Sequence, residues 1–303
     1  MTRVANFAQH ERNLAHILNA QERLNTGQIQ ISSGKKAEQF SGIARDARRL
    51  VNVETSLVRT QQYMSNNDLT EQRLQNMETN VAQIFDVISE YKTLLINALN
   101  ADNGADLAMP IQAQAMLDEI TALLNVEDDG RFLFSGTLTD TQPIDQTGLP
   151  GSYTLPTSDG DASGYFAGNS TKLTLQADEN FTVTYGVTAD EVGFEQAIRS
   201  MHMIVIGPPN DRSTLEDALT VVGNAIDSVS DIRTRIGASR SAIENVNTRL
   251  SDFVLFSEKT IGELENTDIT RVITEMNSDQ VAVEASFAVI ARLANLSLTQ
   301  FLR

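Results

Sequence analysis

Three imidazoles, His10, His16 and His202, are the only groups in this 303-residue chain suited to proton transfer near neutral pH, and there is no cysteine. Disulfides, thiolate metal sites and a cysteine nucleophile are therefore excluded. The histidines lie far apart and lack the H-E-x-x-H spacing that puts two ligands on one helix face. Gly27 to Lys35 has the glycine-lysine pair of a phosphate loop. Six residues separate Gly27 from Gly34, however, and Lys36 stands where magnesium needs a hydroxyl. Ser33-x-x-Lys36 matches the minimal S-x-x-K of penicillin-recognising enzymes, but no KTG-like partner accompanies it. Asp159, Asp161, Ser163 and Gly164 fill positions one, three, five and six of an EF-hand loop, and position twelve is Ser170 instead of a bidentate glutamate. A polar turn is the better reading of each stretch. No catalytic, cofactor-binding or metal-binding residues are assigned, and no cofactor is expected.

The 40 acidic and 23 basic side chains give a net charge of -17, which opposes binding to nucleic acid or to an anionic membrane surface. No apolar run approaches the roughly 18 residues of a membrane span, and residues 1–20 contain none of signal-peptide length. Aromatic residues make up 6%, with no tryptophan, closer to the usage of long helices than to a compact enzyme.

The elements that carry these residues follow from where the helix breakers sit. All six prolines, Pro110 to Pro209, and ten of the seventeen glycines fall in a central stretch, so a turn-rich middle is expected between two long helical arms. In the first arm Leu74, Met77, Val81, Ile84, Ile88, Tyr91, Leu95 and Ala98 recur by threes and fours, a stripe that must be buried against other helices. In the second, Leu215, Leu219, Val222, Ile226, Val229, Ile232, Ile236, Ile243, Val246, Leu250 and Phe253 do the same, with a polar gap near Ser239. As one helix from Ser213 to Leu264 this arm would be about 75 Å long. Two further stripes lie at the termini: Leu14, Ile17, Leu18, Leu24 and Ile31, broken by Gln21 and Gln28, and Met276, Val283, Phe287, Ile290, Ala294, Leu298 and Phe301. Two readings stand: ordinary bundle helices packed at the end of the domain, or an assembly interface in which the stripes meet each other or neighbouring subunits. Between the arms, Leu173 to Leu175, Phe181 to Tyr185 and Phe132 to Phe134 have strand patterns, and Glu191 to Met203 has that of a short helix. The fold class is mainly α with a small β insertion, an elongated antiparallel helical bundle or coiled coil with its N- and C-termini together. Residues 1–50 carry a net charge of +4 and the rest -21; the basic start is read either as a solvated face or as a partner for acidic surfaces of adjoining subunits or later helices.

Three passages, in order along nearly the whole chain, resemble the bacterial flagellin family. Ile31-Ser32-Ser33-Gly34-Lys35 is similar to the turn after the family's first helix. Gly130-Arg131-Phe132-Leu133-Phe134-Ser135-Gly136-Thr137 with Asp140-Thr141-Gln142-Pro143 is similar to its helix-to-sheet junction. Leu264-Glu265-Asn266-Thr267-Asp268, followed by Ala282 to Leu302, is similar to its C-terminal region. Glu38 to Asp46 departs from the passage usual after the Ser-Gly turn of major filament subunits, and the proline-free ending departs from theirs as well. Both departures favour the branch that joins hook to filament.

The resemblance implies a structural subunit, not an enzyme, that serves as an adaptor in bacterial motility. It implies an inner coiled-coil layer from 1–45 and 266–303, a long-helix rod from 46–130 and 212–265, and an outer insertion over 131–211. The partners it implies are a homo-oligomer or ring of like subunits, a neighbouring hook-associated protein, flagellin, and an export chaperone on the C-terminal helix. Location would be extracellular, on the flagellum, after type III export without a cleaved signal peptide. Two alternatives stand beside this reading: a minor or short flagellin within the filament, and a surface adhesin or carbohydrate-binding module using 131–211, where Tyr153, Tyr165 and Phe166 are the available aromatics.

Overall fold

The computed structural model describes residues 2–100, 108–208 and 211–301, with side chains described from residue 11 to 292 within them. Among the described residues there are six α-helices: α1 (Thr2–Ser33), α2 (Ala47–Asn100), α3 (Met109–Leu124), α4 (Val192–Ile206), α5 (Arg212–Glu265) and α6 (Ile269–Phe301). Four short strands, β1 (Glu127–Asp128), β2 (Arg131–Phe132), β3 (Leu173–Asp178) and β4 (Phe181–Tyr185), form two antiparallel hairpins. The chain packs as two compact units, one of residues 1–59 with 253–303 and one of 60–252.

The second unit holds the main core, and the stripe on α2 explains why. Leu74, Met77, Val81, Ile84, Ile88, Tyr91 and Leu95 are all fully buried, and Ala98 is partly so. On α5, Val222, Val229, Ile232, Ile236, Ile243, Val246 and Leu250 are buried in the same cluster, while Leu219 and Ile226 pack at its margin. Each fully buried aliphatic side chain contributes about 1.5–3 kcal/mol of hydrophobic stabilisation before entropy is counted. The polar gap near Ser239 is filled by charge: Arg240 donates to Glu71 at 2.8 Å and also pairs with Glu78, so two carboxylates of α2 face one guanidinium of α5. Two turns along α5, Asn247 accepts from Asn67 at 2.8 Å and donates to Asp68 at 3.0 Å. Such polar links fix register where apolar contacts alone would permit sliding.

Proline 110 does not open a turn. It stands in the first turn of α3, where its missing N–H would have lacked an intrahelical partner anyway. This 16-residue helix buries Ala113, Leu117, Ile120 and Leu124 and packs on α4. Helix α4 is buried on nearly every face, with Phe194 edge-on to Phe134 at 6.2 Å between ring centroids. Tyr91 donates its hydroxyl to the Ser200 carbonyl at 2.8 Å, and burial raises its pKa well above the ordinary tyrosine value. Between β1 and β2 the chain turns at Asp129 and Gly130, both at positive φ, as a two-residue hairpin demands. The alternating pattern puts Leu175 opposite Val183 across β3 and β4, both buried. The run Phe132 to Phe134 leaves the ladder after Phe132: Leu133 still donates to the Val126 carbonyl at 3.1 Å, and Phe134 turns into the core.

Candidate assembly interface

In the first unit α1 packs against α6. Side chains shielded on α1 step by threes and fours through Ile17, Ala20, Leu24, Gly27 and Ile31; those on α6 step through Val272, Met276, Asp279, Val283, Ser286 and Ile290. Ile17, Ala20 and Val272 are buried, and the remaining apolar members are half-buried. Gly27 permits this approach, since a Cβ there would lie 2.7 Å from Met276 Cγ and 3.4 Å from Val272 Cγ1. Arg23 crosses the seam to Asp279 with two hydrogen bonds of 2.9 and 2.6 Å. The bidentate bond holds the Asp279 carboxyl below its ordinary range and raises Arg23.

The expected N-terminal stripe therefore divides. Ile17, Leu24 and Ile31 face the seam, whereas Leu14 is 49% and Leu18 55% exposed. The seam passes through Ala20 and Gly27, and Gln21 and Gln28 are exposed beside it. On α6, Met276, Val283 and Ile290 are half-buried, Phe287 is 51% exposed, and Val281 and Val289 are exposed as well. The side chains of Ala294, Leu298 and Phe301 lie outside the described residues.

The Ser-Gly-Lys-Lys stretch closes one end of this helix pair. Gly34, at φ +70°, ends α1 in the left-handed conformation that favours glycine, its N–H donating to the Gln30 carbonyl at 2.9 Å. Lys35 then bridges Asn266: Lys36 N–H donates to the Glu265 carbonyl at 2.6 Å, and Thr267 N–H to the Gly34 carbonyl at 2.9 Å. Lys35 Nζ meets the Glu265 carboxylate at 3.0 Å, and Lys36 Nζ donates to the Glu263 carbonyl. Both lysines that suggested a phosphate loop are thus engaged with the α5–α6 turn. Asp268 starts α6 by accepting from the Arg271 N–H at 3.1 Å.

The other residues singled out for chemistry have structural partners. Asp159 accepts from Arg199 Nη2 at 2.7 Å and from Gln196 at 3.0 Å, and Asp161 accepts from the Ser158 N–H at 2.7 Å. Among the described residues no cluster of three or more acidic or imidazole groups could hold a metal ion. Arg199 carries no sequence signature beyond its i,i+4 spacing from Glu195, yet it is fully buried, with Thr157 Oγ1 at 2.9 Å and Glu195 at 3.1 Å. Burial raises the Glu195 pKa despite that guanidinium and the Ala162 N–H. His16 is exposed, and the His10 side chain is outside the described residues. His202 is half-buried, its Nδ1 3.0 Å from the Tyr153 hydroxyl, and burial lowers its pKa. Tyr165 is buried, donating to the Ala189 carbonyl at 2.7 Å, and Phe166 packs on the core. Tyr153, Tyr165 and Phe166 are therefore engaged internally and do not form an open aromatic platform for a sugar.

The helices that build the seam are also those matched by family models. Residues 4–139 match the bacterial flagellin N-terminal helical region, and residues 219–302 match the C-terminal helical region. The chain belongs to the bacterial flagellin family. Within that family it is 22% identical to flagellar hook-associated protein 3 of Escherichia coli K12, over 96% of this chain and 96% of that protein. It is also 22% identical to flagellar hook-associated protein 3 of Salmonella typhimurium, over 99% of this chain and all of that one. The flagellin-family fold is shared with a hook-associated protein from Vibrio parahaemolyticus, at 20% identity and a TM-score of 0.60, covering 74% of this chain and 100% of that one. FlgL of Bacillus cereus shares it at 14% identity and a TM-score of 0.56, covering 70% of this chain and 99% of the other.

Proposed function

We propose that this flagellin-family chain is a structural subunit of the bacterial flagellum that joins hook to filament, and that α1 and α6 carry its assembly. The observation that carries the reading is the thin seam. A helix pair that shields Ile17, Leu24, Val272 and Met276 leaves Leu14, Leu18, Val281, Phe287 and Val289 in water. Apolar side chains left over on both helices of a pair are an incentive to further packing. Relatives named for association with the hook, matched over almost the full chain, support the place of action. The role is structural, not enzymatic.

In this reading residues 1–45 and 266–303 form the inner layer, 46–130 and 212–265 the rod, and 131–211 the outward part. Like subunits associate through different faces, a heterologous contact that generates rings or helical tubes. Neighbouring hook-associated protein and flagellin are the partners, with an export chaperone holding α6 beforehand, and the site of action is outside the cell after export without a cleaved signal peptide.

The test is complementation of a bacterium lacking its own junction subunit. The wild-type chain should restore motility and label a short zone at the hook tip. Leu18→Asp and Phe287→Asp should abolish both while each purified variant keeps the unfolding transition of residues 60–252 within about 0.5 kcal/mol. Label along the filament, or long filaments grown from this subunit alone, would assign it to the filament instead.

A further inference from the structure

The first unit contains a groove between the start of α2 and the end of α5, lined by Arg45, Arg48, Arg49, Phe253, Phe256 and Ser257. All three arginines are exposed and none has an ion-pair or hydrogen-bond partner among the described residues. Phe253 and Phe256, one helical turn apart, are 39% and 61% exposed. Ser257 is fully buried, yet its Oγ has no hydrogen-bond partner. Unpaired guanidinium groups and open aromatic rings in one groove describe a surface open to a partner. Guanidinium is suited to that task, because it is weakly hydrated, stacks on aromatic faces and grips carboxylates with two bonds.

Charge identifies the other half. Residues 1–59 with 253–303 hold 13 basic and 12 acidic side chains, whereas residues 60–252 hold 10 and 28. All of the chain's net negative charge therefore lies in the second unit. Each copy carries both an unpaired arginine groove and an acidic unit, and a heterologous contact joins unlike faces of identical chains. We propose that the Arg45–Arg48–Arg49 groove receives an acidic and partly apolar surface of residues 60–252 from a second copy. This deepens the assembly reading above and rests on it.

The absence of cysteine makes a direct test possible. Asn52, exposed and lining the groove, is changed to cysteine and given a photo-crosslinker; this copy is mixed with a mass-tagged copy and assembled on isolated hooks. The expected cross-link joins position 52 to a peptide from residues 60–252 of the tagged copy. In parallel, the triple variant Arg45→Glu, Arg48→Glu, Arg49→Glu should raise the concentration needed for half-maximal assembly at least roughly tenfold. It should also weaken the salt dependence of assembly, since exposed charge pairs are screened by salt, with an unchanged unfolding transition as the control for folding. Cross-links confined to the same chain or to another flagellar protein, or a triple variant that assembles like wild type, would overturn the proposal and leave the assembly role standing. Failure of the wild-type chain to assemble on hooks at all would instead remove the assembly role, and the groove proposal with it.

Discussion

The two units spend their apolar side chains differently. In residues 60–252 the stripes of α2 and α5, helices α3 and α4 and the β3–β4 hairpin close over one continuous cluster. In residues 1–59 with 253–303, the buried apolar side chains among the described residues are Ile17, Ala20, Leu50, Leu264 and Val272, while Leu14, Leu18, Phe40, Leu255, Phe256 and Phe287 are each about half exposed or more. Charge divides the opposite way: the well-packed unit carries the excess of carboxylates and the thinly packed one is close to neutral. A unit with a complete core can tolerate strong self-repulsion, which keeps copies apart in solution. A unit with spare apolar surface and little net charge has no such barrier to association.

The sharpest way to break this contrast is to truncate the complete core. Phe194→Ala, which removes the ring packed on Phe134, should cost about 3–5 kcal/mol in urea denaturation of the full chain. The same measurement on Leu18→Asp should move by less than about 0.5 kcal/mol, because that side chain already faces water. A large loss in the second variant would mean that Leu18 supports the isolated chain, and the contrast between the units would fail.

A smaller effect is expected at the seam itself. Gly27→Leu places a branched side chain where even a Cβ meets Met276 at 2.7 Å, so α1 and α6 must separate; overpacking of this kind costs about 1–3 kcal/mol. Gly27→Ala should be milder, since the obstructing atoms belong to a flexible methionine that can shift. Hydrogen exchange should report faster exchange in α1 and α6 for Gly27→Leu and unchanged protection of Leu74 to Leu95. Coupled loss in both regions would show that the units unfold together.

These positions also mark where sequence reading succeeded. Helices α2 and α5 were legible because large side chains repeat by threes and fours, and each of those on α2 from Leu74 to Leu95 is buried. The α1–α6 seam was harder to place, because close helix approach selects small residues. Ala20 and Gly27 continue the heptad without adding hydrophobicity, so the larger Leu14 and Leu18, on another face, read as part of one stripe with Ile17, Leu24 and Ile31. Helix α3 was hidden by Pro110, a breaker in a helix interior but a good residue in its first turn. For the Ser-Gly-Lys-Lys stretch, spacing excluded nucleotide chemistry, but its pairing with Glu265 and Asn266 spans some 230 residues and leaves no local trace. Arg199 was missed for the same reason, since Thr157 and Asp159 come from a distant loop.

The gentlest test uses protons, and it separates the units by pH. Burial depresses the His202 pKa below its ordinary 6.5, so the folded second unit binds a proton less readily than the unfolded chain does. Its contribution is complete above pH 6.5 and declines as pH falls toward the depressed folded value. The Arg23–Asp279 pair behaves in the same sense but lower on the scale: Asp279 is held below its ordinary 3.8, so its contribution is complete above that pH and is lost as pH falls through the folded value. Between these ranges the His202 contribution falls while that of Asp279 holds. Burial shifts Glu195 of the same unit the other way, so the folded unit gains from its protonation as pH falls and part of the His202 loss is offset. Denaturation from pH 7.5 down to 5 should therefore show the wild-type chain losing stability relative to His202→Asn, with Asp279→Asn following wild type. Equal slopes in wild type and His202→Asn would mean that a different group titrates on unfolding, and the half-buried imidazole beside Tyr153 would lose its place as the proton-sensitive point of the well-packed unit.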